Sequence, residues 1–437
     1  MGACAPGTRF ARSAMTEWDG AGGRGAAPWA MMGPVTEHPD PTLPAPGSPA
    51  DAPTAAALDA GAAPEAAAGR RPRIAHPWRW LLAGMALGIL AFIAAATIPV
   101  PKVIESPGRT WNVLGTVQSE GRSTDLISIS GAETHGAQGA LRMTTVAVSG
   151  CPGYPVTALD VIRAWLDPDE IVLDRDQVCP ESVTAEQQHE VEQAQMTSSQ
   201  DAAVTAALLE TGLADSMVLT VRGTSDERGD GVFAAGDVIR SVTPVGGTTT
   251  SPATYAQLQE LMTTIAPGTE VQVVVSREGQ DVTLTMATLD PGRDSGREGS
   301  LLGVMLDVRA NSDISATFSL SDVGGPSAGS MFALGIIDKI TPGDLTGGKD
   351  IAGTGTISSD GTIGPIGGIA QKMAGASDAG SRYFLAPAGN CGDVLGHEPE
   401  GMEVYAVSNL HEAVQAAEGI AADDTSALTT CRTAATR

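Results

Sequence analysis

An uncharged apolar run from Trp80 to Ile98 is the longest hydrophobic segment of the chain. Its 19 residues, at 1.5 Å each, span about 30 Å, the thickness of the hydrocarbon core of a bilayer. Four arginines between positions 70 and 79 precede it, and Trp78 and Trp80 suit the membrane interface. The pattern predicts a transmembrane helix over 78–99 rather than a buried core helix or a cleaved signal peptide. The arginines favour a cytoplasmic N-terminus and an extracytoplasmic remainder.

Residues 1–70 are rich in Ala, Gly and Pro and have almost no periodic apolar pattern. Such a segment cannot bury enough surface to offset its chain entropy, so we predict a disordered cytoplasmic tail. Beyond the apolar run, strand-like segments lie at 125–130 and 140–148, and a helical segment covers about 184–210 before Gly212.

From about residue 213 to 292 the pattern changes to short strands around one helix. A hairpin turn is predicted at 277–280 between two alternating runs. The order of elements and the turn at 236–239 resemble a PDZ domain, which implies that an extended peptide adds a strand to a sheet edge. We predict that residues 217–221 form the first strand of this module. The alternative is a small α+β module that serves only for packing. A polar linker follows at 290–300.

Acidic residues outnumber basic ones by 51 to 26, which gives a net charge of −25. Residues 1–99 hold seven charges of each sign, so residues 100–437 carry the whole imbalance. A surface this acidic repels phosphate backbones, and we expect no nucleic-acid partner. The chain has only four lysines, at positions 102, 339, 349 and 372.

Ser327 is the first candidate for chemistry, because Gly325 and Pro326 place it on a tight turn just before an apolar helical run. A hydroxyl at a helix N-terminus lies near unpaired N–H groups, which can hold an oxyanion. The alternative is a serine that merely caps the helix.

Lys372 is the second candidate, in the first turn of a predicted helix that starts near Ile369. The helix dipole and the apolar neighbours Met373 and Ala376 both disfavour its charged form, which lowers the pKa toward the range of a general base. The alternative is an exposed surface lysine.

Three segments in this order, at 325–329, 354–355 and 364–372, resemble the proteolytic domain of Lon-type serine proteases. The resemblance implies a Ser-Lys dyad with Ser327 as nucleophile and Lys372 as general base. It also implies that Thr354 helps to hold the lysine amine, with Gly325 and Pro326 in supporting positions. Many Lon enzymes carry an acid three residues before the serine, where this chain has Gly324.

The resemblance is strong over about 301–420 and weaker at 139–145 and 195–203. If the weaker segments belong to the same domain, the PDZ-like module is inserted into a discontinuous Lon-type domain. The combination resembles the membrane-anchored, PDZ-containing Lon-like serine proteases of Gram-positive bacteria of actinobacterial type. We thus expect an α+β multidomain fold. The predicted regions are a tail at 1–70, a transmembrane helix at 78–99, a strand and helix region at 101–212, a PDZ-like domain at 213–292, a Lon-type domain at 298–420 and a C-terminal tail at 421–437.

The sequence has no Gly-x4-Gly-Lys-[Ser/Thr] loop for nucleotide phosphates, and its six histidines include no metal-spaced pair. We expect no cofactor and no metal. The predicted function is an ATP-independent serine endopeptidase that acts on unfolded or C-terminally tagged extracytoplasmic proteins at the membrane, with the PDZ-like domain recruiting or gating substrate. The resemblance also implies a homo-oligomer, a hexameric ring. The alternatives are a non-catalytic membrane-tethered PDZ scaffold and, less supported, a signal-peptidase-like Ser-Lys enzyme.

Four of the five cysteines, Cys151, Cys179, Cys391 and Cys431, fall on the predicted oxidising side of the membrane. An even number suits a disulfide framework and allows three connectivities. We predict the pairs Cys151–Cys179 and Cys391–Cys431. The alternative is four buried free thiols.

Overall fold

The computed structural model describes residues 77–436, except for 120, 152–153, 180–183, 225–231, 293–294 and 321–322. The predicted tail at 1–70 lies outside the described residues. The described residues fall within one compact unit of the chain. Their mixture of helices and sheets confirms the mixed α/β character expected from the sequence.

The helices of the described residues are α1 (Pro77–Thr97), α2 (Ala158–Ala164), α3 (Arg175–Val178), α4 (Ala185–Glu210), α5 (Tyr255–Thr264), α6 (Gly329–Ile340), α7 (Ile369–Asp378), α8 (Cys391–Val394), α9 (Leu410–Ala421) and α10 (Cys431–Ala434).

The strands of the same residues are β1 (Lys102–Asn112), β2 (Thr116–Ser119), β3 (Arg122–Asp125), β4 (Ile127–Ser130), β5 (Ala140–Ser149), β6 (Ile171–Asp174), β7 (Met217–Thr224), β8 (Val238–Pro244), β9 (Glu270–Arg277), β10 (Gln280–Ala287), β11 (Val304–Ala310), β12 (Ser315–Phe318), β13 (Asp350–Gly353), β14 (Thr356–Ile357), β15 (Ile363–Gly364), β16 (Tyr383–Pro387) and β17 (Glu403–Val407).

Helix α1 covers most of the predicted transmembrane segment. Its 20 residues Trp78–Thr97 have a mean hydropathy of 2.1 and are not buried against the rest of the chain. At 1.5 Å per residue they span about 30 Å. By length and composition, α1 is the one helix in the described residues that could cross a membrane.

A six-stranded sheet combines strands from distant parts of the chain, in the order β17-β16-β13-β5-β1-β6. Strand β13 runs parallel to both β5 and β16, and β16 runs parallel to β17. Strand β1 pairs antiparallel with β5 on one side and with β6 on the other. Strands that precede residues 213–292 in the sequence and strands that follow them thus form one sheet.

The pairing of β1 with β5 is interrupted between Pro107 and Thr110. Proline has no N–H to donate to a ladder, so it is tolerated at such a bulge. Helix α7 packs over this point, because a Cβ built on Gly375 would come within 2.8 Å of the carbonyl oxygen of Gly108. The absence of a side chain at Gly375 therefore allows a close approach between β1 and α7, the helix that carries Lys372.

Helix α6 is the central helix of the fold, and all of its residues are buried. A helix that is apolar on nearly every side needs neighbours all round. Helices α4 and α9 and strands β4 and β5 supply them. Phe332 of α6 also meets Phe318 edge to face, with ring centroids 5.0 Å apart.

A second sheet, of five antiparallel strands in the order β10-β9-β8-β7-β11, packs against α5. Glu278 and Gly279 have φ values of 51° and 80°, the pair of positive angles that a tight two-residue hairpin requires. In the turn that suggested this module, the buried Asp237 accepts two 2.7 Å hydrogen bonds from Arg277. These bonds lower the pKa of Asp237.

Residues 217–221 lie in β7, the first strand of this sheet along the chain, as predicted, and β7 is paired on both sides. The two edge strands are β10 and β11. Strand β11 lies in the segment that the sequence assigned to the next domain, and the N–H of Ala310 at its end donates to the hydroxyl of Thr205 in α4. Leu302 also joins the core of the five-stranded sheet. The sheet therefore extends past the predicted boundary at 292 and across the predicted linker.

Two disulfides join Cys151 to Cys179 and Cys391 to Cys431, with Cα–Cα distances of 5.8 and 4.8 Å. These are the pairs predicted from the sequence. The second one holds the C-terminal segment, where the N–H of Ala406 in β17 also donates to the carbonyl of Thr429. The predicted tail is thus packed against the six-stranded sheet.

We expect the double substitution Cys391→Ala and Cys431→Ala to destabilise the protein by about 3–4 kcal/mol, because it releases a closed loop in the unfolded chain. The loop spans 40 residues. Denaturant unfolding without reductant measures the loss, and Cys4→Ala is the control that should change nothing. An unchanged unfolding midpoint, or four free thiols in the protein from its native compartment, would contradict the two bridges.

Candidate active site

Ser327 lies on the turn immediately before α6. Gly325 has a φ of 85°, a conformation that favours glycine, and Pro326 and the half-buried Ser327 follow. The N-cap position of α6 is occupied by Ala328, and no side chain caps the helix there. The alternative that Ser327 is an ordinary capping serine is therefore wrong, and its hydroxyl is not needed to start the helix.

Helix α4 fixes one side of this turn. The N–H of Gly325 donates to the carbonyl of Glu192 at 3.0 Å, and the hydroxyl of Ser199 donates to the carbonyl of Pro326 at 2.9 Å. The Glu192 carbonyl and the Ser199 hydroxyl both belong to α4. A capping box between Thr184 and Gln187 fixes the start of this helix.

The segment between β13 and β14 fixes the other side. The carbonyl of Ser327 accepts two hydrogen bonds, from the N–H of Gly355 at 2.8 Å and from the hydroxyl of Thr354 at 2.9 Å. The N–H of Thr354 in turn donates to Leu385 of β16. The backbone of Ser327 is thus tied to the six-stranded sheet.

Lys372 lies in the first turn of α7 and is only 3 % exposed, so the alternative of a surface lysine is wrong. Its amine donates a 3.1 Å hydrogen bond to the hydroxyl of Thr354. Burial lowers the pKa of Lys372 from 10.5 to about 8, while the charge of Glu105 acts in the opposite direction. A sizeable fraction of the amine is therefore neutral near physiological pH.

Thr354 connects the two candidate residues. Its hydroxyl accepts from the Lys372 amine and donates to the Ser327 carbonyl. The structure therefore brings Ser327, Thr354 and Lys372 together. Within the described residues, no hydrogen bond joins the Ser327 hydroxyl directly to the Lys372 amine.

Backbone donors lie beside the Ser327 hydroxyl. The N–H groups of Ser327 and Ala328 have no acceptor among the described residues, as expected at the start of a helix. The positive end of the α6 dipole adds to them. Such groups can stabilise the negative oxygen that forms when a carbonyl is attacked.

Glu105 of β1 is a charged group of this site that the sequence did not single out. A Cβ built on Gly368, the N-cap of α7, would lie 3.6 Å from its carboxylate oxygen Oε2. Burial raises the pKa of Glu105, and Lys372 acts against that change. The sequence provides only a weak signal for Glu105. It is an acid just before Pro107 and Gly108, and these two residues interrupt the alternating apolar pattern of β1.

Glu192 of α4 is a second missed residue. Gly324 stands where many Lon enzymes have an acid, and the Glu192 side chain lies over it. A Cβ built on Gly324 would come within 3.0 Å of Glu192 Oε2. A carboxylate from α4 thus lies beside Gly324.

The histidines considered as alternative bases lie elsewhere. The exposed His411 contacts Glu210 at 2.7 Å and Gln415 at 3.1 Å. His397 is exposed next to α8. The described residues contain no group of three or more His, Cys, Asp or Glu side chains arranged to hold a metal ion.

Residues 321–418 match the family model for the Lon protease (S16) C-terminal proteolytic domain. This segment contains Ser327, Thr354 and Lys372. The match covers the second part of the described structure and supports a peptidase of the serine type.

Curated Lon proteases are similar over the same part of the chain. The chain is 39 % identical over 93 residues to Lon protease 1 of Sorangium cellulosum, which is 21 % of this chain and 11 % of that protein. It is 35 % identical over 94 residues to Lon protease 2 of Bacillus subtilis, covering 21 % and 16 %. It is 33 % identical over 110 residues to the archaeal Lon protease of Archaeoglobus fulgidus, covering 24 % and 17 %. The chain thus spans less than a fifth of the length of these relatives.

A solved structure of the PDZ domain of an SdrC-like protein from Listeria monocytogenes is also similar. It covers 20 % of this chain and 85 % of that chain, with 13 % identity and a TM-score of 0.17. This likeness is too distant to bear on function.

We expect acylation of Ser327 to depend on the neutral form of Lys372. The rate should rise about tenfold per pH unit in acid and level off above the Lys372 pKa. That pKa is about 8. Reaction of the full chain with a serine-directed acylating probe, mapped to Ser327, measures the profile. A midpoint near 6.5, typical of histidine, would contradict the assignment.

The variant Glu105→Gln should move this profile to lower pH, because it removes a negative charge that favours the ammonium form of Lys372. Glu133→Gln, which removes an exposed carboxylate from another part of the surface, is the matched control. A profile that Glu105→Gln leaves in place would show that Glu105 does not act on the lysine.

Proposed function

We propose that the protein is a serine endopeptidase with a Ser-Lys dyad, in which Ser327 is the nucleophile and Lys372 the general base. The observation that carries the proposal is the buried Lys372 amine, bound to Thr354, whose hydroxyl also holds the Ser327 carbonyl. A lysine with a lowered pKa is the base that such a dyad requires.

In the first half of the reaction, the neutral Lys372 amine takes the proton of the Ser327 hydroxyl, and the serine oxygen bonds to the carbonyl carbon of the substrate. The N–H groups of Ser327 and Ala328 hold the resulting oxyanion. When the intermediate collapses, the peptide C–N bond breaks and the leaving amine takes the proton from Lys372. Catalytic hydrogen bonds are often incomplete without substrate, and this mechanism requires the Ser327 hydroxyl to move to the amine when substrate binds.

In the second half, Lys372 removes a proton from water, and the hydroxide oxygen attacks the acyl carbon bound to Ser327. The bond between this carbon and the serine oxygen then breaks, and the oxygen recovers its proton from Lys372. The free enzyme and a new carboxyl terminus result. Thr354 keeps the amine in position through both steps.

We further propose that the protease needs no ATP and works at the outer surface of a membrane, as in the anchored Lon-like proteases that the sequence resembles. The 437-residue sequence contains no phosphate-binding loop. Lys349 lies in the glycine-rich segment that most nearly resembles such a loop, and its amine pairs with Asp423 at 2.6 Å. Helix α1 would supply the anchor. The alternative function, a non-catalytic scaffold, would not require a buried lysine amine at this position.

The Lon-type domain in this proposal is discontinuous. Its six-stranded sheet would take β1, β5 and β6 from before the PDZ-like module and β13, β16 and β17 from after it. Helix α4, which also precedes the module, supplies Ser199 and Glu192 to the Ser327 turn.

The PDZ-like module would recruit substrate through a groove of about 540 Å³ between α5 and β11. Strand β11 is an open edge that can pair with an extended peptide. The N–H groups of Leu302 and Gly303, just before β11, have no acceptor among the described residues. Arg297 also lines the groove, as does Glu298. The two free N–H donors suit the terminal carboxylate of a polypeptide.

We expect Ser327→Ala and Lys372→Ala each to reduce cleavage of an unfolded protein, measured without ATP, to background. The double variant should lose little more than either single variant, because members of one catalytic unit are not additive. Lys349→Ala is the matched control for removal of a lysine. Wild-type cleavage by Ser327→Ala would contradict the protease and favour the scaffold.

A further inference from the structure

The groove on the PDZ-like module continues toward the Ser327 turn. A second cavity of about 570 Å³ adjoins it. Four residues, Tyr255, Gln259, Val304 and Leu306, line both spaces. The far wall of the second cavity includes Pro326, the residue before Ser327. The two spaces therefore form one path from α5 and β11 to Pro326, in the turn that carries Ser327.

Other residues at the far wall belong to the site already described. Ser199 lines the cavity and donates its hydroxyl to the carbonyl of Pro326 at 2.9 Å. Ile357 of β14 lines it as well and packs against the start of α6, since a Cβ built on Gly329 would contact its side chain. The cavity is thus bounded by the elements that position Ser327.

The direction of a bound peptide follows from where the free donors lie. Leu302 and Gly303 precede β11, so a carboxylate bound there leaves the rest of the peptide to run along the open edge toward Val308. Val308 lines only the second of the two spaces. A peptide anchored by its C-terminus would therefore extend into the second cavity, beside the turn of Pro326 and Ser327.

We infer that one substrate polypeptide occupies both spaces, and that its anchored C-terminus fixes the cleaved bond at a constant distance from the chain end. The inference rests on the proposed protease function and adds the rule that selects the bond. In this arrangement position relative to the free carboxylate, more than local sequence, determines the cleavage site.

The strand sets a lower limit on that distance. Five peptide residues pair along the edge from Val304 to Val308, at about 3.3 Å each, before the chain leaves β11. The bond that reaches Ser327 lies beyond them, toward the N-terminus of the substrate. We therefore expect the released C-terminal fragment to have a fixed length of more than five residues.

Two series of unstructured peptides test the rule with the full chain. Each peptide of about 20 residues ends in the same apolar residue with a free carboxylate. In one series, residues are inserted between the C-terminal five and a preferred internal sequence, and in the other they are inserted before that sequence. Mass spectrometry should give C-terminal fragments of one length in both series. Amidation of the carboxylate should slow cleavage at least about fivefold, since it removes the charge that the groove binds.

A variant pair tests the path itself. Gln259 is exposed on α5 and lines both spaces, whereas Glu260, also exposed on α5, lines neither. Gln259→Trp should reduce cleavage of the free-carboxylate peptides at least about fivefold, because the indole fills the shared space. It should also broaden the distribution of fragment lengths. Glu260→Trp should match the unmodified chain. Equal behaviour of the two variants would overturn the path.

The outcomes separate the rule from the protease. Cleavage at the internal sequence in both series, at equal rates for free and amidated peptides, would overturn the fixed-distance rule. The proposed protease function would remain supported by that result. Failure of the unmodified chain to cut either the peptides or an unfolded protein would overturn the proposed function, and the rule with it. Fragments of constant length from the free carboxylate would support both.

Discussion

A buried lysine amine is stable only where it gives up its proton easily or meets a hydrogen-bond partner, and this constraint organises the site. In the described structure the Lys372 amine has one hydrogen bond, to the hydroxyl of Thr354. The same hydroxyl must also reach the carbonyl of Ser327. The Thr354 side chain therefore links α7 to the turn before α6.

That arrangement depends on how closely α7 approaches β1. Gly375 faces Gly108 at a distance that leaves no room for a Cβ, and the Pro107 bulge opens the strand at this point. A larger residue at Gly375 would push α7 outward and carry the Lys372 amine away from Thr354. The bulge also leaves Glu105 beside the start of α7, where its charge limits the fall in the lysine pKa. The strand thus shapes both the position and the basicity of the amine.

The sequence predicted what local patterns encode and missed what long-range pairing decides. Ser327, Thr354 and Lys372 lie in short glycine-bounded segments whose resemblance to Lon proteases is visible residue by residue. Glu105 was missed because Pro107 and Gly108 interrupt the alternation of β1. Strand β11 was given to the wrong domain because the apolar residues after a polar linker read as the start of a new unit. Only the pairing of β11 with β7, which no local pattern specifies, places it in the five-stranded sheet.

The position of β11 determines what the proposed enzyme can recognise. A strand edge binds a peptide through backbone groups that every sequence shares, and pockets for alternate side chains add selectivity. An unfolded polypeptide loses much conformational entropy when it is held for attack, and prior anchoring of its end lowers that cost at the site. Binding energy from the remote carboxylate then assists the chemistry at Ser327 without any demand on the residues around the cleaved bond. Such an enzyme would discriminate by whether a chain has a free, extended C-terminus, which a folded protein with a packed end does not offer. In the proposed enzyme the buried amine would supply the reactivity, and the strand edge would restrict it to chains that have lost their structure.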